Sequence, residues 1–263
     1  HRDLHSLRRR QRQMCIRDRD KKRRTYFTGA FPSFCGKTST CMVKGESIIG
    51  DDIAYLRKRD GKIYAANVEK GIFGIIQDVN EKDDPVIFEA LTTPGEVIFS
   101  NVLVTEDGVP YWPGRSKNVP PKGINHSGEW YVGKKDSEGK DIPPAHKNAR
   151  YTISLNRLKN LDPRADDPMG VPIGGIIYGG RDSDTSVPVE EAFDWEHGII
   201  TKGAMLESET TAATLGQEGV RVFNLMSNID FVPIPLGRYI MNNLKFIEGV
   251  DEHPVIFGVN YFI

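Results

Sequence analysis

An α/β fold, a mixed sheet flanked by helices, is predicted by three features of the chain. Apolar runs of strand length recur between Gly- and Asp-rich turns, a Gly-Lys-Thr triplet sits where a strand must turn into a helix, and one stretch carries apolar residues at helical spacing. With 263 residues, 38% of them apolar, the chain can bury a sizeable core. No apolar run approaches the roughly 20 residues needed to cross a bilayer, so no membrane partner is expected.

The elements follow in order. Tyr26 to Ala30 reads as a short buried strand, and Thr38 to Val43 can begin a helix. Pro32 to Gly36 must therefore turn between them with its amides converging, an arrangement that binds phosphate. Lys37 would bring an ammonium to the outer phosphate oxygens, while the Thr38 hydroxyl would ligate a nucleotide-bound Mg²⁺. Ser47 to Ile49 is a second short strand, and after Gly50 it delivers Asp51 and Asp52, which can hold a divalent metal against the phosphates. A Gly-Lys-Thr triplet alone is weak, and Phe31 stands where the general loop has Gly. Gly50-Asp51-Asp52 after the next strand gives the triplet its weight.

Further on, Ile53 to Leu56 and Ile63 to Ala66 flank Asp60-Gly61 as a hairpin, and Val97 to Val104 and Pro110 to Trp112 flank Glu106-Asp107-Gly108 likewise. Pro113 to Ala145, rich in Pro, Gly and Lys, is expected to be irregular. Ile173 to Tyr178 reads as a buried strand that delivers Arg181 after Gly179-Gly180, and Leu236 to Phe246 as a core helix. Glu207 to Gly219 is small, polar and without apolar period, hence an exposed helix or a loop.

Phe31-Pro32-Ser33-Phe34-Cys35-Gly36-Lys37-Thr38, Gly50-Asp51-Asp52-Ile53-Ala54, His146-Lys147-Asn148-Ala149-Arg150 and Gly179-Gly180-Arg181 occur in this order. With Ala192 to Gly198 and Glu207 to Ala213, they resemble the GTP-dependent phosphoenolpyruvate carboxykinases, most closely an archaeal-like branch, from about Lys21 to Ile263. The resemblance implies a carboxykinase-type mononucleotide-binding domain with a P-loop. It also implies a reversible reaction of gluconeogenesis: oxaloacetate loses CO₂, and the enolate takes the γ-phosphoryl of GTP to give phosphoenolpyruvate and GDP. Phe31 and Cys35 in the loop favour GTP over ATP.

Site residues carry over position by position. One Mn²⁺ would use Asp52, with Asp51 beside it, and a second Mg²⁺ or Mn²⁺ would travel with GTP and meet Thr38. Phe34, Cys35, Gly36, Lys37, Thr38, Ser39, Arg150 and Arg181 would hold the nucleotide, and Ser33, Asn148, Ala149 and Arg150 the substrate. Cys35, Lys37 and Arg150 would serve catalysis, Lys37 and Arg181 by offsetting charge as it shifts. Arg150 suits a clamp because its planar fork pairs bidentately with carboxylate or phosphate. Loop amides and Lys37 would lower the Cys35 pKa and leave an accessible thiolate, a sensitive position and not a nucleophile. The family closes a lid over its site, a role Glu207 to Gly219 would fill by keeping water from the enolate. The remaining Mn²⁺ ligands and the guanine pocket are expected outside this chain, which reads as an internal fragment inactive by itself.

Charge is unevenly placed. Residues 1–24 hold 11 Lys/Arg against 3 Asp, so the remaining 24 basic and 33 acidic residues give a body of −9 behind a net charge of −1. Residues 1–19 are set aside as a non-native or disordered basic tail, with 20–263 as the partial catalytic domain. The tail lacks interleaved aromatics, and no nucleic-acid partner is expected. Three cysteines, Cys15, Cys35 and Cys41, make no disulfide framework, which suits a reducing cytoplasm, and a monomer is expected. His126, His146 and His197 lack zinc spacing, Asp166-Asp167 reads as a turn, and Trp112, Trp130 and Trp195 as packing residues. A non-catalytic nucleotide-binding module and another P-loop phosphotransferase are the alternatives.

Overall fold

The computed structural model describes residues 12–18, 23–32, 35–184, 186–209 and 232–262, the stretch 12–23 by its backbone alone. The chain divides into two compact units, His1–Glu69 with Asn160–Ile263, and Lys70–Lys159.

In the first unit Arg12–Asp18 (β1) pairs antiparallel with Arg23–Ala30 (β2). A five-residue helix, Lys37–Cys41 (α1), precedes Ser47–Gly50 (β3), which pairs with the other edge of β1. Ala54–Arg59 (β4) and Lys62–Asn67 (β5) form the expected hairpin, and its turn places Asp60 at φ 49° and Gly61 at φ 69°. The second unit contributes Gly71–Ile75 (β6), Pro85–Thr92 (α2), Val97–Ser100 (β7), Leu103–Val104 (β8), Pro110–Tyr111 (β9), Lys122–Asn125 (β10), Gly128–Tyr131 (β11) and Arg150–Ser154 (β12). The chain then returns to the first unit with Val171–Gly180 (β13), Val189–Glu191 (β14) and Trp195–Gly198 (α3). The π-helix Ile199–Ala204 follows, then Leu236–Lys245 (α4) and Val255–Asn260 (β15).

The first unit is organised around β13, which runs parallel to β2 on one side and to β15 on the other. Its first residues also pair antiparallel with β5, and β14 caps the far edge of β15, so the sheet is mixed. A strand buried on both faces must be apolar throughout, as this run is. Ile176 and Tyr178 enter the main core with Tyr26, Ile63, Trp195, Ile199 and Ile256, whereas Ile177 packs on the opposite face with Phe31 and Cys35. Each such side chain contributes roughly 1.5–3 kcal/mol when fully buried, enough to fix the register of β13 against its neighbours. The second core is thus built from the chain that follows β2.

Helix α4 buries Tyr239 and Asn243, one turn apart, and Leu244 packs on the main core, in keeping with its apolar spacing. Among the described residues no helix is long and apolar enough to cross a membrane.

The second unit holds two antiparallel sheets, β6-β12-β7 and β11-β10-β8-β9. Two expectations are corrected here. The run Val97 to Val104 is broken at Asn101, whose φ of 61° turns the chain so that β7 joins β12 and β8 joins β9 and β10. The stretch Pro113 to Ala145 contains the β10–β11 hairpin, anchored by buried Trp130, whose Nε1 donates to the Ile142 carbonyl at 2.7 Å. Trp112 is fully buried and stacks on Phe99 at 5.9 Å, a packing role.

Candidate functional site

Strand β2 ends at Ala30, and beyond it Phe31, Pro32 and Cys35 are buried. Gly36 caps α1 at φ 89°, a left-handed conformation that glycine adopts without penalty. A Cβ there would fall 2.4 Å from the Tyr261 ring. The Tyr261 hydroxyl also hydrogen-bonds the Thr40 hydroxyl at 2.9 Å, and Phe31 stacks on its ring at 6.5 Å. Phe31 and the start of α1 are therefore both held by one aromatic side chain just past β15. Helix α1 covers five residues where a longer one was expected, so its dipole is short and Lys37 carries most of the local positive charge. Thr38 is half-buried and Ser39 exposed; Ser33 and Phe34 lie outside the described residues.

Lys37 Nζ lies 3.3 Å from Asp52 Oδ1 and 3.6 Å from Asp51 Oδ2. The triplet and the paired carboxylates, 14 and 15 residues apart in sequence, are thus one constellation, as the sequence implied. Asp51 is 1% exposed, and burial raises its pKa, with the Lys37 ammonium pulling it back and the Asp52 charge adding to the rise. Its Oδ1 is buried with no hydrogen-bond partner among the described residues, a position that fits a cation. Asp52 is more open, its side chain 40% exposed. Sequence reasoning missed Glu69, at the end of the hairpin, whose pKa is raised by burial and by the charges of Asp52 and Asp51. Its signal was absent from any motif, since the β4–β5 hairpin folds it back towards them.

The accessible thiolate expected at Cys35 is corrected: the residue is 1% exposed, packed with Phe31 and Ile177, and its Sγ lies 3.4 Å from the Ser208 hydroxyl. Cys41 is also buried and free, and burial next to Asp51 pushes its thiol pKa up.

Strand β13 delivers Arg181 at its end, as expected. Gly179 leaves room for Phe31, whose ring would lie 1.9 Å from a Cβ there, which explains the first glycine of the pair. The Arg181 guanidinium stacks on the Phe262 ring at 4.4 Å, and its Nε lies 3.6 Å from Glu209 Oε2. Of the expected lid, residues 207–209 are described and are docked against Arg181, while 210–219 lie outside the described residues.

Asn148, Ala149 and Arg150 belong to the second unit, with Arg150 opening β12. His146 Nδ1 accepts from the Asn148 amide at 3.0 Å, and Asn148 Oδ1 accepts from Arg150 Nε at 2.9 Å. Arg150 also lies over the Phe73 ring at 5.1 Å, and Ala149 is buried. The histidine is thus a hydrogen-bonded structural group that holds the Asn-x-Arg turn. His126 packs edge-on against it at 5.0 Å, its pKa lowered by burial and by the neighbouring His146 and Lys134 charges. Asp167 pairs with Arg164 in a turn, as expected. Among the described residues no group of three or more His, Cys, Asp or Glu could hold a metal ion.

The family described as phosphoenolpyruvate carboxykinase C-terminal P-loop domain matches residues 13–263. The chain is 59% identical over 242 residues to the phosphoenolpyruvate carboxykinase (GTP) of Pyrococcus abyssi, an alignment covering 92% of this chain and 39% of that protein. It is 51% identical over 239 residues to the Saccharolobus solfataricus protein of the same name, covering 90% of this chain and 38% of that one. With the Chlamydia pneumoniae protein the identity falls to 39% over 249 residues, covering 91% and 40%. The archaeal proteins are the more similar, and the chain spans about 39% of the length of the Pyrococcus relative.

Proposed function

The chain belongs to the family of phosphoenolpyruvate carboxykinase C-terminal P-loop domains, and from that membership we propose that it is the nucleotide- and metal-holding part of a GTP-dependent carboxykinase. The reaction would be the reversible conversion of oxaloacetate and GTP to phosphoenolpyruvate, GDP and CO₂. The C–C bond to the departing carboxylate breaks, its electron pair forms the enolate, and the enolate oxygen attacks the γ-phosphorus as the GDP oxygen leaves.

The observation that carries this reading is the Lys37 ammonium held by Asp51 and Asp52 behind a turn that only glycine fits at position 36. Phe34, Cys35, Gly36 and Ser39 would cradle phosphates through backbone groups, with Phe31 and Cys35 anchored in an apolar cluster with Ile177, and the loop would favour GTP as in the family it belongs to. Lys37 would offset the charge that shifts on the transferring phosphoryl, and Arg181 would do so from another side. Arg150, oriented by Asn148, would clamp the substrate and γ-phosphate, with Ser33 and Ala149 beside the substrate.

Asp52, Asp51 and the Thr38 hydroxyl are the groups that would hold divalent metal, Mn²⁺ at the carboxylates and Mg²⁺ or Mn²⁺ with the nucleotide. When bound, such ions neutralise phosphate charge and polarise the reacting oxygens. So few protein ligands make a weak site, and this chain alone is proposed to bind metal poorly and to be inactive. We further read residues 1–19 as foreign to the domain, on composition, and the protein as a cytoplasmic monomer.

The test restores the rest of the coding sequence and assays GTP- and Mn²⁺-dependent formation of phosphoenolpyruvate from oxaloacetate. Lys37→Ala is expected to lower kcat by about a hundredfold to a thousandfold, the scale of a lost electrostatic stabiliser. A folded, metal-loaded full-length protein without the activity would overturn the proposal.

A further inference from the structure

Residues 207–209 are fastened to Arg181 by more than a surface turn requires. The Ser208 hydroxyl accepts from the Arg181 amide at 2.9 Å and also contacts Cys35 Sγ, while the Glu209 amide donates to the Arg181 carbonyl at 2.8 Å. Glu209 is 1% exposed. A buried carboxylate costs several kcal/mol unless its oxygens are answered. Here the Ser183 amide and hydroxyl both donate to Oε1, at 2.9 and 2.5 Å, while Arg181 Nε, 3.6 Å from Oε2, answers that oxygen by charge at ion-pair distance and not by a hydrogen bond.

That geometry is unlike an ion pair made for its own sake. An arginine paired for stability offers its fork bidentately. In Arg181 the Nε edge faces Glu209, Phe262 covers one face, and among the described residues neither Nη donates to a protein acceptor. The side chain keeps 27% of its surface exposed. A planar guanidinium fixed along one edge and one face loses little freedom when an anion meets the remaining donors.

We propose that Glu209 is a positioning residue, which sets Arg181 by its Nε edge so that the two Nη groups meet the terminal phosphate of a nucleotide, with Ser208 tying Arg181 to the loop through Cys35. This rests on the nucleotide-binding reading above. Glu209 acts through Arg181 and touches no substrate itself. Removing its charge should therefore cost nothing once Arg181 is gone.

The experiment titrates GTP and GDP, with Mg²⁺, by calorimetry into the protein with the rest of its coding sequence restored, for the parent, Glu209→Gln, Arg181→Ala and the double variant. Glu209→Gln is expected to weaken GTP about tenfold and GDP less than about threefold, the scale of one lost ion pair inside a protein, and the double variant to match Arg181→Ala alone. Equal losses for GTP and GDP, or losses that add fully in the double variant, would overturn the inference while leaving nucleotide binding intact. A completed and folded parent protein that binds no GTP would instead remove the nucleotide reading, and this inference with it. Should Glu209→Gln fail to fold, Ser183→Ala carries the same comparison, with about a threefold GTP-selective loss expected.

Discussion

At the scale of single residues, the site turns on positions that tolerate few alternatives. Gly36 combines a φ of 89° with the Tyr261 ring where a Cβ would stand. Gly36→Ala should destabilise the chain by about 2 kcal/mol, from left-handed strain and the clash together. In a Tyr261→Ala background, which itself loses the Thr40 hydrogen bond and the Phe31 stacking, Gly36→Ala should cost only the strain; urea denaturation of the parent, both single variants and the double variant separates the two, and an equal cost in both backgrounds would contradict the contact. Asp51 gives a pH signature. Its pKa is raised, so the folded chain binds a proton there more readily than the unfolded chain does. The stability it contributes is present below its unfolded pKa and lost as pH rises through the folded value. Asp51→Asn, which has no carboxyl to ionise, should therefore gain in stability relative to the parent as pH rises from the acid range to neutrality without metal, read by urea denaturation across that range. Parallel denaturation profiles for the two proteins would refute this.

At the scale of elements, what the sequence made legible is what a short window encodes. The run Ile173 to Tyr178 announces β13 because a strand buried on both faces has to be apolar throughout, and Asp60-Gly61 announces the β4–β5 hairpin through its positive φ angles. The Gly-Lys-Thr and Gly-Asp-Asp motifs were readable for the same reason, each being one turn of backbone with its chemistry attached. The β10–β11 hairpin was not, because most of its residues are exposed or half-buried and only Trp130 is fully buried, which leaves no apolar alternation to read. Nor was the burial of Cys35 legible, since it depends on Ile177 and Ser208, which lie more than 140 residues away. Glu69 was missed likewise: a carboxylate that acquires neighbours only through a hairpin has no local signature.

For the whole molecule, the expected site residues divide between the units, with the loop, Asp51, Asp52 and Arg181 in one and Asn148, Ala149 and Arg150 in the other. The first unit also incorporates Arg12–Asp18, from the segment read as foreign, between β2 and β3. If that segment supplies only backbone pairing, replacing residues 12–18 with an unrelated strand-forming sequence should leave the thermal midpoint within about 3 °C, whereas deleting residues 1–19 should lower it by about 10 °C or more. A large loss on replacement would show that its own side chains matter and would end the foreign-tail reading.

Tyr261 has one further consequence, for the order of events during folding. Gly36 and Thr40 take their conformation against a side chain more than 220 residues away along the chain, carried by a strand that must first dock beside β13. Contacts of such long range form late and slowly, because loop closure must precede any gain from them. On the proposed function, the ability to hold phosphate would therefore follow the docking of β15 and not precede it, which would spare a half-folded molecule from sequestering nucleotide.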